Sequence, residues 1–444
     1  MHFYMTIKMK ILAFATILLC LSSCKKQDNL LELTTYRASL KIQDNQEIPF
    51  QFKVKSNNLI EIYNADEVII VDEITYKNDS IYIQTPVFEG YIVAKISDDK
   101  SLKGYFVKPS LNRSVLFNAT TKNTSRFKTT KKPLYNITGN WQTIFSPNKK
   151  EDRYIAKGIF SQNKNKVVGT FRTTTGDYRY LEGIVNGDSL KLSTFDGAHA
   201  FLFTAKVTDS TLTGVFYSGN HWKESFTAKL NTNYELPSEN TLTTLNKGYN
   251  SFNFSFPDES GKLVSYSDEL FKNKVTLVQI MGTWCPNCLD ETMYYVDYLK
   301  KKSNTAIQFV ALAFEIDKTP EKAFEKINRL KTRLKITYPI LLAQYKGVNK
   351  KEAAEKLPML NHILSYPTTV FIDKKETTTD KEKFVKRAES SFNNDSFWLV
   401  APHKLFEDGI IRTVVQIDGK DALKVKYTTG GSTPGDSYTW ILND

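Results

Sequence analysis

Two cysteines set two residues apart carry the most specific chemistry in this sequence, in the string Trp284-Cys285-Pro286-Asn287-Cys288. They fall where an apolar run, Val275 to Met281, gives way to an amphipathic helical pattern. Backbone amides in the first turn of a helix lack partners and the dipole there favours an anion, so a sulfur at that point is stabilised as thiolate. A thiolate is the attacking species in disulfide exchange. The spacing puts the second sulfur one turn further on, able to attack the mixed disulfide made by the first. Pro286 occupies a position where a missing N–H costs nothing. Trp284 is expected to cover the site from one side, leaving Cys285 partly exposed and Cys288 buried. A Cys-x-x-Cys can also be half of a zinc site, but no second cysteine pair follows, and His199, His221, His362 and His403 show no paired ligand spacing. A purely structural disulfide closing so short a loop would constrain the unfolded chain very little.

The elements that must position this pair are βα units. From about residue 245 the pattern gives a strand marked by Phe252, Phe254 and Phe256, a buried strand at 274–281 and a helix at 285–302. There follow a buried strand at 307–314, a helix at 320–334, a short strand at 339–343, a helix at 350–364 and a strand at 368–373. Strands alternating with helices predict a partly parallel sheet. Upstream the grammar differs. Residues 32–130 and 135–235 show period-2 alternation broken by Asn, Asp, Gly and Lys clusters, which predicts two all-β, sandwich- or barrel-like domains. The polar, basic stretch 121–133 reads as the connection between them. Gly139-Asn140-Trp141 resembles the opening of lipocalin-like barrels, with Trp141 expected to plug a core. His199, beside the turn at Asp196-Gly197, has no second ligand at suitable spacing and is taken as structural.

The chain has 444 residues, 41% of them hydrophobic, which excludes a largely disordered protein. Its 4 cysteines exclude a disulfide-dense scaffold. The net charge of +12 is spread without a basic helix or an aromatic-basic motif, so no nucleic-acid partner is expected. Residues 1–23 place Lys8 and Lys10 before an apolar run too short to span a bilayer, the layout of a signal peptide. They end in Leu21-Ser22-Ser23-Cys24, which resembles a lipobox and makes Cys24 the expected lipidated N-terminus. Loss of Lys8 and Lys10 with the leader would lower the charge from +12 to +10. Residues 24–31 would then be a tether, whose Lys25 and Lys26 either meet anionic headgroups or stay solvated.

Residues 245–375 resemble the thioredoxin-like domain of TlpA/ResA-type lipoprotein thiol-disulfide oxidoreductases of Bacteroidetes-like bacteria, a redoxin-like domain related to the AhpC/TSA kind. The matching stretches are Gly282 to Cys288, Glu291, Tyr338 to Leu342, Lys356 to Asn361 and Tyr366 to Asp373. The resemblance implies an α/β thioredoxin-like fold behind the all-β region, a redox-active Cys285–Cys288 pair and no cofactor. It makes Cys285 the attacking thiolate and Cys288 the resolving thiol. Pro367 becomes the cis-proline, and Trp284, Pro286 and Tyr366 contacts to substrate. Glu291 matches a glutamate common in the family; it serves in proton handling or is a solvated helix charge. Also implied are lipid anchorage at Cys24 in the cell envelope, facing the periplasm, protein thiol or disulfide substrates, and an unidentified electron donor. Gln279 stands where thioredoxins place a buried Asp, so Glu291 or water would have to take the resolving cysteine's proton. Met281 replaces an aromatic. The atypical extension, 376–444, has a charged, helical pattern at 380–392 and strand patterns at 410–417, 423–427 and 437–442, which either complete the sheet edge or form a separate β appendage.

Two other functions compete. A thiol peroxidase would want a Thr three residues before the cysteine in a Pro-rich loop, where this chain has Gly282, with Thr283 only two before. A non-catalytic surface lipoprotein with a vestigial cysteine domain is disfavoured by the intact Cys-x-x-Cys.

Overall fold

The structure is a computed structural model that describes residues 30–237, 242–301 and 307–372, and, as backbone, the strands Ile410–Ile417, Lys420–Tyr427 and Thr439–Asn443. The leader with Cys24, and the helical pattern at 380–392, lie outside the described residues.

Alternating strands build the first unit. Leu59–Asn64 and Tyr91–Ile96 bury every second side chain, as one-sided strands must. Nine antiparallel strands between Thr35 and Thr120 form one sheet, whose two edges are Glu67–Val71 and Glu73–Lys77. Only Asp72 separates those edges in sequence. A flat sheet of nine strands would hold them about 40 Å apart, so this one must curl until they meet. The second unit closes completely. Gly139–Phe145 pairs with Tyr154–Asn163 and Trp222–Leu230, and Lys166–Thr173 joins Tyr154–Asn163 to Leu181–Asn186. The result is an eight-stranded antiparallel barrel with the two-residue strand Gly176–Asp177 folded back on Lys166–Thr173. Of sandwich or barrel, it is a barrel. Trp141 does fill its core, fully buried, with Nε1–H donating to Ile137 O at 2.9 Å.

The two β units share a core. Phe195 of the second stacks on Phe50 of the first at 4.2 Å and meets Phe106 edge-on at 5.1 Å. The polar connection contributes more than a link. Arg126 is 4% exposed, and its guanidinium donates to Pro49 O, Ser193 O and Tyr63 O, joining carbonyls of both units. Such a buried cation survives only because those carbonyls replace its water.

The third unit has a four-stranded sheet ordered Ile340–Gln344, Ile307–Phe314, Val275–Met281, Thr368–Ile372; the first three are parallel and the last antiparallel. Val275–Met281 is buried at all seven positions, which is why its sequence runs apolar without alternation. Three helices connect the strands: α1 (Pro286–Lys301), α2 (Pro320–Leu334) and α3 (Lys350–Lys356). The start of α2 is fixed by Thr319, whose side chain accepts from Lys322 N–H, with Pro320 following in the first turn.

Two expectations need correction. The helix expected over 350–364 stops at Lys356, because Leu357 precedes Pro358 and the residue before a proline avoids helical geometry. The strand expected through Phe252, Phe254 and Phe256 is only Ser255–Pro257; Phe252 and Phe254 are buried core residues outside any strand. The three C-terminal strands pair with one another in a sheet of their own. No helix among the described residues is long and apolar enough to cross a membrane.

Candidate active site

The central strand Val275–Met281 delivers the chain to Gly282, and α1 begins at Pro286. Between them the backbone turns tightly: Cys285 N–H donates to Gly282 O at 3.1 Å. Glycine is required at 282, since a Cβ there would lie 2.2 Å from Trp284 Nε1 and 2.9 Å from Phe314 O. Trp284 is locked by its Nε1–H to Phe314 O at 2.9 Å and by edge contact with Tyr366.

Cys285 lies at the mouth of α1. The backbone N–H of Cys288 donates to Cys285 Sγ at 3.2 Å, so one of the helix's unpartnered amides is aimed at that sulfur. Cys285 Sγ is 3.4 Å from Tyr366 O, and the Tyr366–Pro367 bond is cis. Both cysteines are free thiols. Cys285 is only 6% exposed, against the expectation of partial exposure; the second barrel reaches the neighbouring Asn287, and Trp284 packs beside it. Cys288 is fully buried, and burial pushes its thiol well above the usual range. The two sulfurs are thus unequal: one faced by a helix amide, the other held neutral.

Behind them lies Glu291, 6% exposed and not a solvated helix charge. Its carboxylate accepts from Tyr295 OH at 2.8 Å, Thr369 OH at 2.6 Å and Gln279 Nε2 at 2.9 Å. Gln279 Nε2 also donates to Cys288 O at 3.2 Å, and its own oxygen accepts from Thr292 at 3.1 Å. Gln279 therefore tethers Glu291 to the turn that carries Cys288.

Two charged groups at the site escaped the sequence reading. Glu315, fully buried at the end of Ile307–Phe314, accepts from Thr283 N–H at 2.8 Å and Thr283 OH at 2.7 Å. Burial raises its carboxyl to about 7. Arg179, from the second barrel, bonds Asp290 of α1 at 2.5 Å. Neither could be found from local pattern, because the partners lie 32 and 111 residues away in sequence. His199 lies elsewhere, its ring nitrogen 3.2 Å from Asp196 and its ring stacked on Phe201.

A parallel sheet running into a Cys-x-x-Cys at a helix start, opposite a cis-proline, defines a thioredoxin-like redox domain, the fold that the TlpA/ResA resemblance implies. Residues 247–395 match the family model described as Redoxin, so the chain carries a redoxin domain behind its two β units. Similar solved structures include a thiol-disulfide oxidoreductase from Bacteroides fragilis, 20% identical over 32% of this chain and 100% of its own, with TM-score 0.25. The thioredoxin domain of a thiol-disulfide oxidoreductase from Bacteroides vulgatus is 19% identical over 34% and 100%, with TM-score 0.26. A thioredoxin-family thiol:disulfide interchange protein from Chlorobium tepidum is 21% identical over 31% and 86%, with TM-score 0.23. No curated protein matches the chain.

Proposed function

We propose that the protein is a lipid-anchored, extracytoplasmic thiol-disulfide oxidoreductase working through Cys285 and Cys288. The observation that carries the reading is the Cys288 amide donating to Cys285 Sγ at the helix mouth. Cys285 thiolate attacks one sulfur of a substrate disulfide; that S–S bond breaks, and the departing sulfur leaves as a thiolate that takes a proton. Cys288 then gives up its proton, for which Glu291 is the acceptor held in place by Gln279, and attacks Cys285 Sγ. The mixed disulfide breaks, the second substrate thiol is released, and two electrons have passed to the substrate as the Cys285–Cys288 disulfide forms. A donor dithiol resets the pair; the reverse sequence oxidises a substrate dithiol.

The test is Cys288→Ala. A disulfide partner should accumulate on Cys285 as a mixed disulfide that reductant releases, and Cys285→Ala should abolish it. Failure of the single variant to trap any disulfide, alongside an inert wild type, would contradict the reading. Anchorage is tested separately: Cys24→Ser should lose lipid labelling and move from the membrane to the soluble fraction, and a variant that stays membrane-bound would refute lipidation at Cys24.

A further inference from the structure

The first turn of α1, which any partner must approach, is enclosed: Cys285 is 6% exposed, Pro286 and Cys288 are buried, and Asn287 is half-buried. The hairpin between Lys166–Thr173 and Gly176–Asp177 reaches this turn. A Cβ at Gly176 would come within 2.9 Å of Asn287 Nδ2, so backbone from the second barrel borders the Cys-x-x-Cys itself. Just past the hairpin, Arg179 adopts a left-handed backbone, φ 63°, supported by Asp177 accepting its N–H at 3.0 Å.

Its side chain, 5% exposed, joins all three units. Nη1 meets Asp290 of α1 at 2.5 Å, Nη2 meets Glu67 of the first β unit at 2.9 Å, and Nε lies 3.0 Å from Asp196 of the barrel. Asp196 is itself held by Ala198 N–H at 2.8 Å and by His199. The single guanidinium is the cation that holds three carboxylates from three units together, so its loss would leave them facing one another with no guanidinium between them. On the far side, Arg329 of α2 forms a bidentate pair with Glu73, and Lys326 pairs with Glu89. Val87 of the first unit packs within the redox domain's own core. The first β unit is therefore fixed against the redox domain at several points, and through it and Arg179 the barrel is held beside the redox centre.

We propose that the second barrel is a substrate-selecting wall: it keeps the broad face of a folded partner away from Cys285 and leaves the centre to disulfides on small molecules or single extended segments. The inference rests on the redox reading of Cys285 and names its substrate class. A folded carrier protein with one surface cysteine capped by thionitrobenzoate, and the unfolded peptide containing the same capped cysteine, are each offered to the reduced full chain. Release of thionitrobenzoate is read by absorbance, and each rate is normalised to that of free glutathione with the same substrate. The peptide should react at least roughly tenfold faster than the folded carrier. Asp290→Asn, which loosens one arm of the clamp without touching either sulfur, should narrow that gap. Equal normalised rates on the wild type, or a gap untouched in a folded Asp290→Asn protein, would overturn the wall. Failure to react with peptide and carrier alike would instead overturn the redox reading, and the wall with it.

Discussion

At the scale of single residues, the site is organised by groups that hold one another rather than by the cysteines alone. Gly282 lets Trp284 swing its indole back onto Phe314 O, and Glu315 grips Thr283 by both N–H and OH, so the turn before Cys285 is anchored at successive positions. Glu315 has a pH signature. Burial raises its carboxyl from 4.5 to about 7, so the fold prefers the neutral form. The stability gained from that carboxyl is therefore full below its unfolded value and is lost as pH rises through about 7. Glu315→Gln keeps the neutral shape without the titration. Relative to wild type, its stability should rise by up to about 3 kcal/mol between roughly pH 5 and pH 8. Urea unfolding at the two pH values measures this, and parallel pH dependence in the two proteins would contradict it. The cysteines themselves were legible because their chemistry is local, a spacing set against a helix start. Glu315, Arg126 and Arg179 were not, since a cation or carboxylate in a polar stretch looks solvated until the fold supplies distant partners.

At the scale of elements, periodicity told most where burial is simple. The strand Ile307–Phe314 and the helix α2 stand where their patterns place them. For α2 the reason is explicit: an N-cap Thr319, Pro320 in the first turn and a left-handed Lys335 at the end, φ 57°. Pattern misled where it continued past a backbone constraint, as at Leu357-Pro358, and where alternating aromatics at Phe252 and Phe254 filled a core without joining a sheet. Alternation also cannot say whether a set of strands closes. That depended on the pairing of Tyr154–Asn163 with Lys166–Thr173, a register fixed by the two-residue turn at Lys164-Asn165.

At the scale of the whole molecule, the redox domain is packed into the β units through ion pairs and a shared apolar contact at Val87, not strung after them on a loose linker. Inter-unit contacts of this kind leave no periodic trace in sequence. Everything in the functional account depends on the two sulfurs being unequal: Cys285 faced by a helix amide, Cys288 buried and held neutral. The most direct measurement is competition between them. The reduced full chain is treated with less than one equivalent of iodoacetamide at neutral pH, and the labelled peptides are mapped by mass spectrometry. Cys285 should carry at least about ten times the label of Cys288. Label shared evenly, or concentrated on Cys288, would contradict the account.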